Sequence, residues 1–185
     1  MTARLSIAVL IVGCVAGCSE PGVAPPAIPG NVDEAQVAAR IADADREVRE
    51  ALDSADAWGR LGVVYDVHRF FDRALECYGT ATTLDPDEWR WPYFSGIVLR
   101  TSDQAAALEQ FERAAELNPD HAPLQLYLGF GHFLEESVDE AGKHYARALE
   151  LDPRSVNARI GLAQVALAGR DAGRAVQLLE EARDI

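Results

Sequence analysis

The residues in this chain best suited to chemistry are three cysteines, four histidines and one acidic cluster. Cysteines two apart, or grouped with histidines at fixed spacing, would hold zinc or exchange thiols. Cys14, Cys18 and Cys77 make no such set. His68, His121, His132 and His144 show no H-E-x-x-H spacing, so a metal-activated water is not expected. Glu135, Glu136, Asp139 and Glu140 offer carboxylates to a cation, but a calcium loop places ligands at alternate positions around a glycine turn. That stretch reads as a solvated turn. Cys77 reads as an apolar filler on a helix, since a reactive thiol needs a nearby cation and access. His132 reads as a packed histidine. Catalysis would need a nucleophile and base, a metal set or a phosphate loop. None is legible, so the chain is expected to be no enzyme, with no cofactor and no metal.

Cys18 has a different chemistry open to it. The opening "MTARLSIAVLIVGCVAGCSE" places one positive side chain, Arg4, before an apolar run from Leu5 to Ala16. The run is too short to span a bilayer comfortably and ends in small residues, as a signal segment does. Val15, Ala16, Gly17 and Cys18 resemble the lipobox of bacterial lipoproteins. The resemblance implies cleavage before Cys18, residues 1–17 being removed, and lipid on its thiol. Two or three acyl chains hold a protein stably at a membrane, where one holds it marginally. The implied location is the bacterial cell envelope, and Ser19 after the cysteine leans to the periplasmic face of the outer membrane. Residues 18–31 continue as "CSEPGVAPPAIPGN", whose prolines and glycines suit a polyproline-like tether better than a core.

The remainder must carry the function. A net charge of −13 opposes nucleic-acid binding, which needs clustered Lys and Arg. Instead the chain repeats itself. "ATTLDP" at 81–86, "AAELNP" at 114–119 and "ALELDP" at 148–153 place Pro86, Pro119 and Pro153 at spacings of 33 and 34. A fixed period of that size marks a solenoid. "WGRLGVVY" at 58–65, followed by Ala74, Tyr78, Ala81 and Pro86, resembles the tetratricopeptide repeat, and three further units follow. Their columns hold Trp91, Gln125 and Arg159 beneath Trp58.

That resemblance implies an all-α fold: a right-handed α-solenoid of about four helix-turn-helix repeats over 55–185. The units fall at about 55–87, 88–120, 122–155 and 156–185. Small residues are expected where helices approach. These are Ala74, Ala107, Ala141 and Ala175, then Ala81, Ala114, Ala148 and Ala182. Gly62, Ser95, Gly129 and Ala163 would keep the two helices of a unit close. Tyr78, Phe111, Tyr145 and Leu179 would fill the space between units, and Leu84, Leu117, Leu151 and Ile185 would close each second helix. Proline then stops the helix. The second unit is one residue short near "DPDEWRWP", with Pro92 expected in the first turn of its helix. Ser137 and Glu140 read as a capping box. Residues 32–53 do not match the repeat but carry an apolar stripe, Val37, Ile41, Ala44, Val48 and Leu52, at helical spacing. They are expected to form an additional N-terminal helix, capping the first unit or lying elsewhere on the solenoid.

In this family the first helices of successive units line a concave groove where peptides lie. The resemblance assigns Trp89, Tyr93, Leu126, Tyr127, Phe130, Phe133, Ile160 and Gln164 to it, with Gly59, Val63, Gly96, Leu99, Leu134 and Leu167 alongside. The Lys, Asn and Arg set of a carboxylate clamp is absent. "LQLYLGFGHFL" at 124–134 is apolar all round, and such a helix is either buried or a docking surface. The expectation is a scaffold that binds an envelope protein or peptide, with a second copy of the chain as another occupant. The alternative is an enzyme accessory or small-ligand carrier using the same groove.

Overall fold

The computed structural model describes residues 24–27 and 35–185. Cys18 and residues 1–23 and 28–34 lie outside them. The described residues form nine helices and no strand. α1 is Ala35–Glu50. Four pairs follow: α2 (Ala55–Val67) with α3 (Phe71–Leu84), α4 (Arg90–Leu99) with α5 (Gln104–Leu117), α6 (Ala122–Leu134) with α7 (Val138–Leu151), and α8 (Val156–Ala168) with α9 (Ala172–Arg183). Each helix packs on its chain neighbour, and α6 also touches α8, which is the stacking of a solenoid.

The small residues explain how closely the helices stack. Ala74, Ala107, Ala141 and Ala175 are buried, as are Ala81, Ala114, Ala148 and Ala182. A Cβ at Gly62 would lie 2.6 Å from the Tyr78 ring, and one at Gly129 would lie 2.6 Å from Tyr145. In the second unit the role moves by one residue. Gly96 meets Phe111, while Ser95 is simply buried. Gly59 and Gly96, assigned to the groove from sequence, are therefore buried instead; Gly59 is covered by the Trp91 ring.

A second regularity fixes where each unit begins. The Trp58 indole N–H donates to the Leu52 carbonyl at 2.9 Å. Gln125 Nε2 donates to the Pro119 carbonyl at 2.8 Å, and the Arg159 guanidinium donates to the Pro153 carbonyl at 2.8 Å. All three donors reach six residues back. In the second unit Pro86 lies five residues before Trp91, and the Trp91 indole nitrogen is buried with no partner. Pro92 does fall in the first turn of α4, and α4 has 10 residues against 13 in α2, α6 and α8. The missing residue has cost that helix its anchor.

Three expectations are corrected. Ser137 caps α7 by position but makes no side-chain bond, because Glu140 turns forward to Lys143 at 2.6 Å. Leu84, Leu117 and Ile185 are well exposed, since each sits where its helix ends and is covered on one side only. In the fourth unit Leu178 is buried and Leu179 exposed, on a face of α9 that no described element covers.

All but the last residue of the expected stripe packs as a cap on the first unit. Ile41, Ala44 and Val48 join the core of Trp58, Leu61, Tyr65 and Tyr78 with Val37 against it, while Leu52 lies past the end of α1 and is exposed. Burying one such aliphatic side chain contributes about 1.5–3 kcal/mol. An exposed ion pair, Arg60 to Glu47 at 3.0 Å, adds little. Pro25 is buried as well, and the Tyr65 hydroxyl donates to the Pro26 carbonyl at 3.3 Å. Part of the proline-rich segment thus lies against the first unit.

Candidate binding groove

The expected groove residues separate into two groups. Leu126, Tyr127 and Phe130 of α6 and Ile160 and Gln164 of α8 line one cavity of about 610 Å³. Its floor is the Tyr145 ring of α7. Glycine is what lets that ring reach the floor: a Cβ at Gly161 would come within 2.5 Å of Tyr145, and Gly129 faces the same ring. Burial pushes the Tyr145 hydroxyl up to about 12, so it stays protonated. Asn157 of α8, Arg100 and Thr101 from the turn between α4 and α5, and Gln104 at the start of α5 complete the walls. A small adjoining hollow of about 20 Å³ shares Arg100, Gln104, Tyr127 and Phe130 and runs on to Leu134. Phe130 is 47% exposed and Ile160 39%, so the apolar face of α6 is open and not covered by α1.

Trp89, Tyr93 and Phe133 form the other group, outside both cavities. Trp89 and Tyr93 build a row of rings that joins the second unit to the third. Trp89 lies 4.6 Å and Tyr93 5.1 Å from the His121 ring, and Tyr93 is 6.2 Å from Tyr127. Burial lowers the His121 pKa, which suits a ring used for packing. Phe133 is half-buried. Tyr127 stacks on Phe111 at 5.0 Å and 6°, which holds the cavity edge rigid.

Sequence reasoning missed Arg100, Thr101, Gln104 and Asn157. One signal was available for Arg100. It stands nine residues after Trp91, in the column filled by Val67, Leu134 and Ala168 in the other units. A charge there interrupts an otherwise apolar column. Its guanidinium carbon lies 5.5 Å over the Tyr127 ring, and it makes no ion pair among the described residues.

The residues considered for metal or thiol chemistry are spread apart. Among the described residues no group of three His, Cys, Asp or Glu side chains could hold a metal ion. Cys77 is fully buried, and burial pushes its thiol up to about 12, which makes it a poor nucleophile. Glu135 and Glu136 on the turn before α7, and Asp139 and Glu140 in its first turn, are exposed. His132 stacks on His144 at 5.1 Å, and His144 Nδ1 bonds Gln125 Oε1 at 2.8 Å. No described helix is long and apolar enough to cross a membrane.

The comparisons with known proteins agree with this architecture. Two family models described as tetratricopeptide repeat match the chain, one at 60–122 and 97–153 and the other at 132–185. The mitochondrial import receptor subunit TOM70 of Saccharomyces cerevisiae is 32% identical over 127 residues, covering 62% of this chain and 20% of that protein. The CTR9 homolog of Arabidopsis thaliana is 28% identical over 120 residues, 62% of this chain and 11% of that one. The chain thus spans a small part of these relatives. Among solved structures, MamA superposes with a TM-score of 0.72 at 19% identity, covering 78% of this chain and 85% of that one. YrrB, described as a protein with an unusual peptide-binding site, gives 0.70 at 23%, covering 80% and 77%. The first such domain of Spaghetti (RPAP3), bound to the HSP90 peptide SRMEEVD, gives 0.59 at 26%, covering 62% and 92%. Proteins of this fold mediate protein–protein interactions and peptide binding. With helix pairs recurring from α2 to α9 and family models matching them from 60 to 185, the chain belongs to the tetratricopeptide repeat family.

Proposed function

We propose that this chain is a non-enzymatic scaffold of the bacterial cell envelope. Lipid on Cys18 would hold it to a membrane, at the periplasmic face of the outer membrane, and the groove between α6 and α8 would bind a segment of a partner protein. The observation that carries the groove reading is the open cavity of about 610 Å³, in which an apolar floor leaves Phe130 and Ile160 exposed to an incoming side chain. Exposed apolar patches of this kind mark interaction sites. Peptide binding by YrrB and by the Spaghetti domain supports the same use here. The anchor is supported by Arg4, the apolar run and the V-A-G-C motif.

A small-ligand carrier is the second reading, because the cavity volume lies within the range of small-molecule sites. Affinity capture from native envelopes separates the two. Wild type should retain a specific protein that Phe130→Glu loses, at equal helicity by circular dichroism. Identical captures would remove the groove from the proposal. Mass spectrometry of the mature N-terminus should find acylated Cys18, and an unmodified thiol would sink the anchor.

A further inference from the structure

The cavity has one charged side chain in its wall, and it is a cation in a chain whose net charge is −13. Arg100 is exposed, yet its guanidinium is held over Tyr127, a ring itself clamped on Phe111. Such an arrangement spends little further side-chain freedom on binding an anion, because Arg presents a planar fork of donors. Arg100 also borders both the large cavity and the adjoining hollow, so apolar surface lies on either side of it: Ile160 and Leu126 in the cavity, Leu134 in the hollow, with Phe130 common to both. Gln104, bordering both, offers an uncharged donor beside it.

We infer that the groove selects an extended segment carrying one internal Asp or Glu flanked by apolar residues, with Arg100 as the residue that sets the acidic preference. This rests on the groove reading and names its ligand class. One guanidinium balances one carboxylate. Apolar surface on both sides means the bound segment continues past the carboxylate in both directions, which favours a side chain over a chain terminus. The competing account is that Arg100 only complements the carbonyl end of α4, where a cation is favoured in any case.

The test is selection from random octapeptides displayed at the N-terminus of a phage coat protein, which offers no free C-terminal carboxylate. Wild-type protein should enrich Asp or Glu between apolar residues. Arg100→Glu should keep the apolar residues and replace the acid by Lys or Arg. A selected acidic peptide should bind Arg100→Gln about tenfold more weakly than wild type, with less dependence on salt. Enrichment without an acidic preference, or one unchanged in Arg100→Glu, overturns the inference and leaves the groove standing if Phe130→Glu abolishes enrichment. Arg100→Gln that loses thermal stability while keeping its peptide preference assigns Arg100 to the helix end and also overturns it. No enrichment by folded wild type overturns both the inference and the groove.

Discussion

The first and third units share a backbone plan and fill it with opposite chemistry. Trp58, Tyr65 and Cys77 in the first stand where Gln125, His132 and His144 stand in the third. The first set is fully buried beneath α1. The second is a polar chain: Pro119 carbonyl, Gln125 amide, His144 ring, then His132 stacked upon it. What survives the exchange is the bond from the helix's fourth residue to the carbonyl six back. Indole, amide and guanidinium all make it, so geometry selects a donor of the right reach and not a residue type. The second unit completes the lesson, since it keeps the tryptophan but loses the spacing, and the bond is gone.

Substitutions can break that comparison. Trp58→Ala should cost most, about 4 kcal/mol, because it opens a cavity beneath α1. Gln125→Ala should cost about 1–2 kcal/mol, because a buried side chain is lost with its bonds to the Pro119 carbonyl and the His144 ring. Chemical denaturation measures both, and equal costs would show that the donor bond dominates. Gly62→Val and Gly129→Val should each cost about 2–3 kcal/mol, since both push on a tyrosine ring from the same distance. A large difference between them would mean the shared plan is not shared in rigidity. Trp58→Phe should lose about 1 kcal/mol more than Trp91→Phe, which has no indole bond to give up.

The smallest effect is on pH. Burial, then the neighbouring His132, lowers the His144 pKa from 6.5, while Glu140 opposes the shift. The folded state therefore takes up its proton less readily than the unfolded chain. The stability this represents is full above the unfolded value and is lost as pH falls through the lower folded one. Thermal melts of wild type should decline over that acid window more than those of His144→Gln. Identical slopes would show that burial does not lower the His144 pKa on folding.

The solenoid was legible because its alanines and prolines recur in one column after another, and small residues at helix contacts have few substitutes. The cavity was legible in part. Leu126, Tyr127 and Phe130 on α6 and Ile160 and Gln164 on α8 lie on the first helices that the repeat resemblance assigns to the groove. Arg100 and Thr101 come from a turn and Gln104 from the first position of α5, where the groove assignment to first helices does not reach and only the break in an apolar column marks Arg100. The resemblance assigns Trp89 and Tyr93 to the groove by their place at the first helix of the second unit, and they pack against His121 outside the two cavities. Their partner His121 lies just ahead of α6, and no pattern within one unit reveals a contact between two.

The Tyr65 hydroxyl on the Pro26 carbonyl would change the length of the leash that the proposed anchor provides. Measured to α1, an anchor at Cys18 would leave a contour of about 60 Å; measured to Pro26 it is about 28 Å. The volume open to the solenoid shrinks with the cube of that length, so its effective concentration at the membrane surface would rise about tenfold. With the proposed anchor, a single phenol would bear on which partners are near enough to meet.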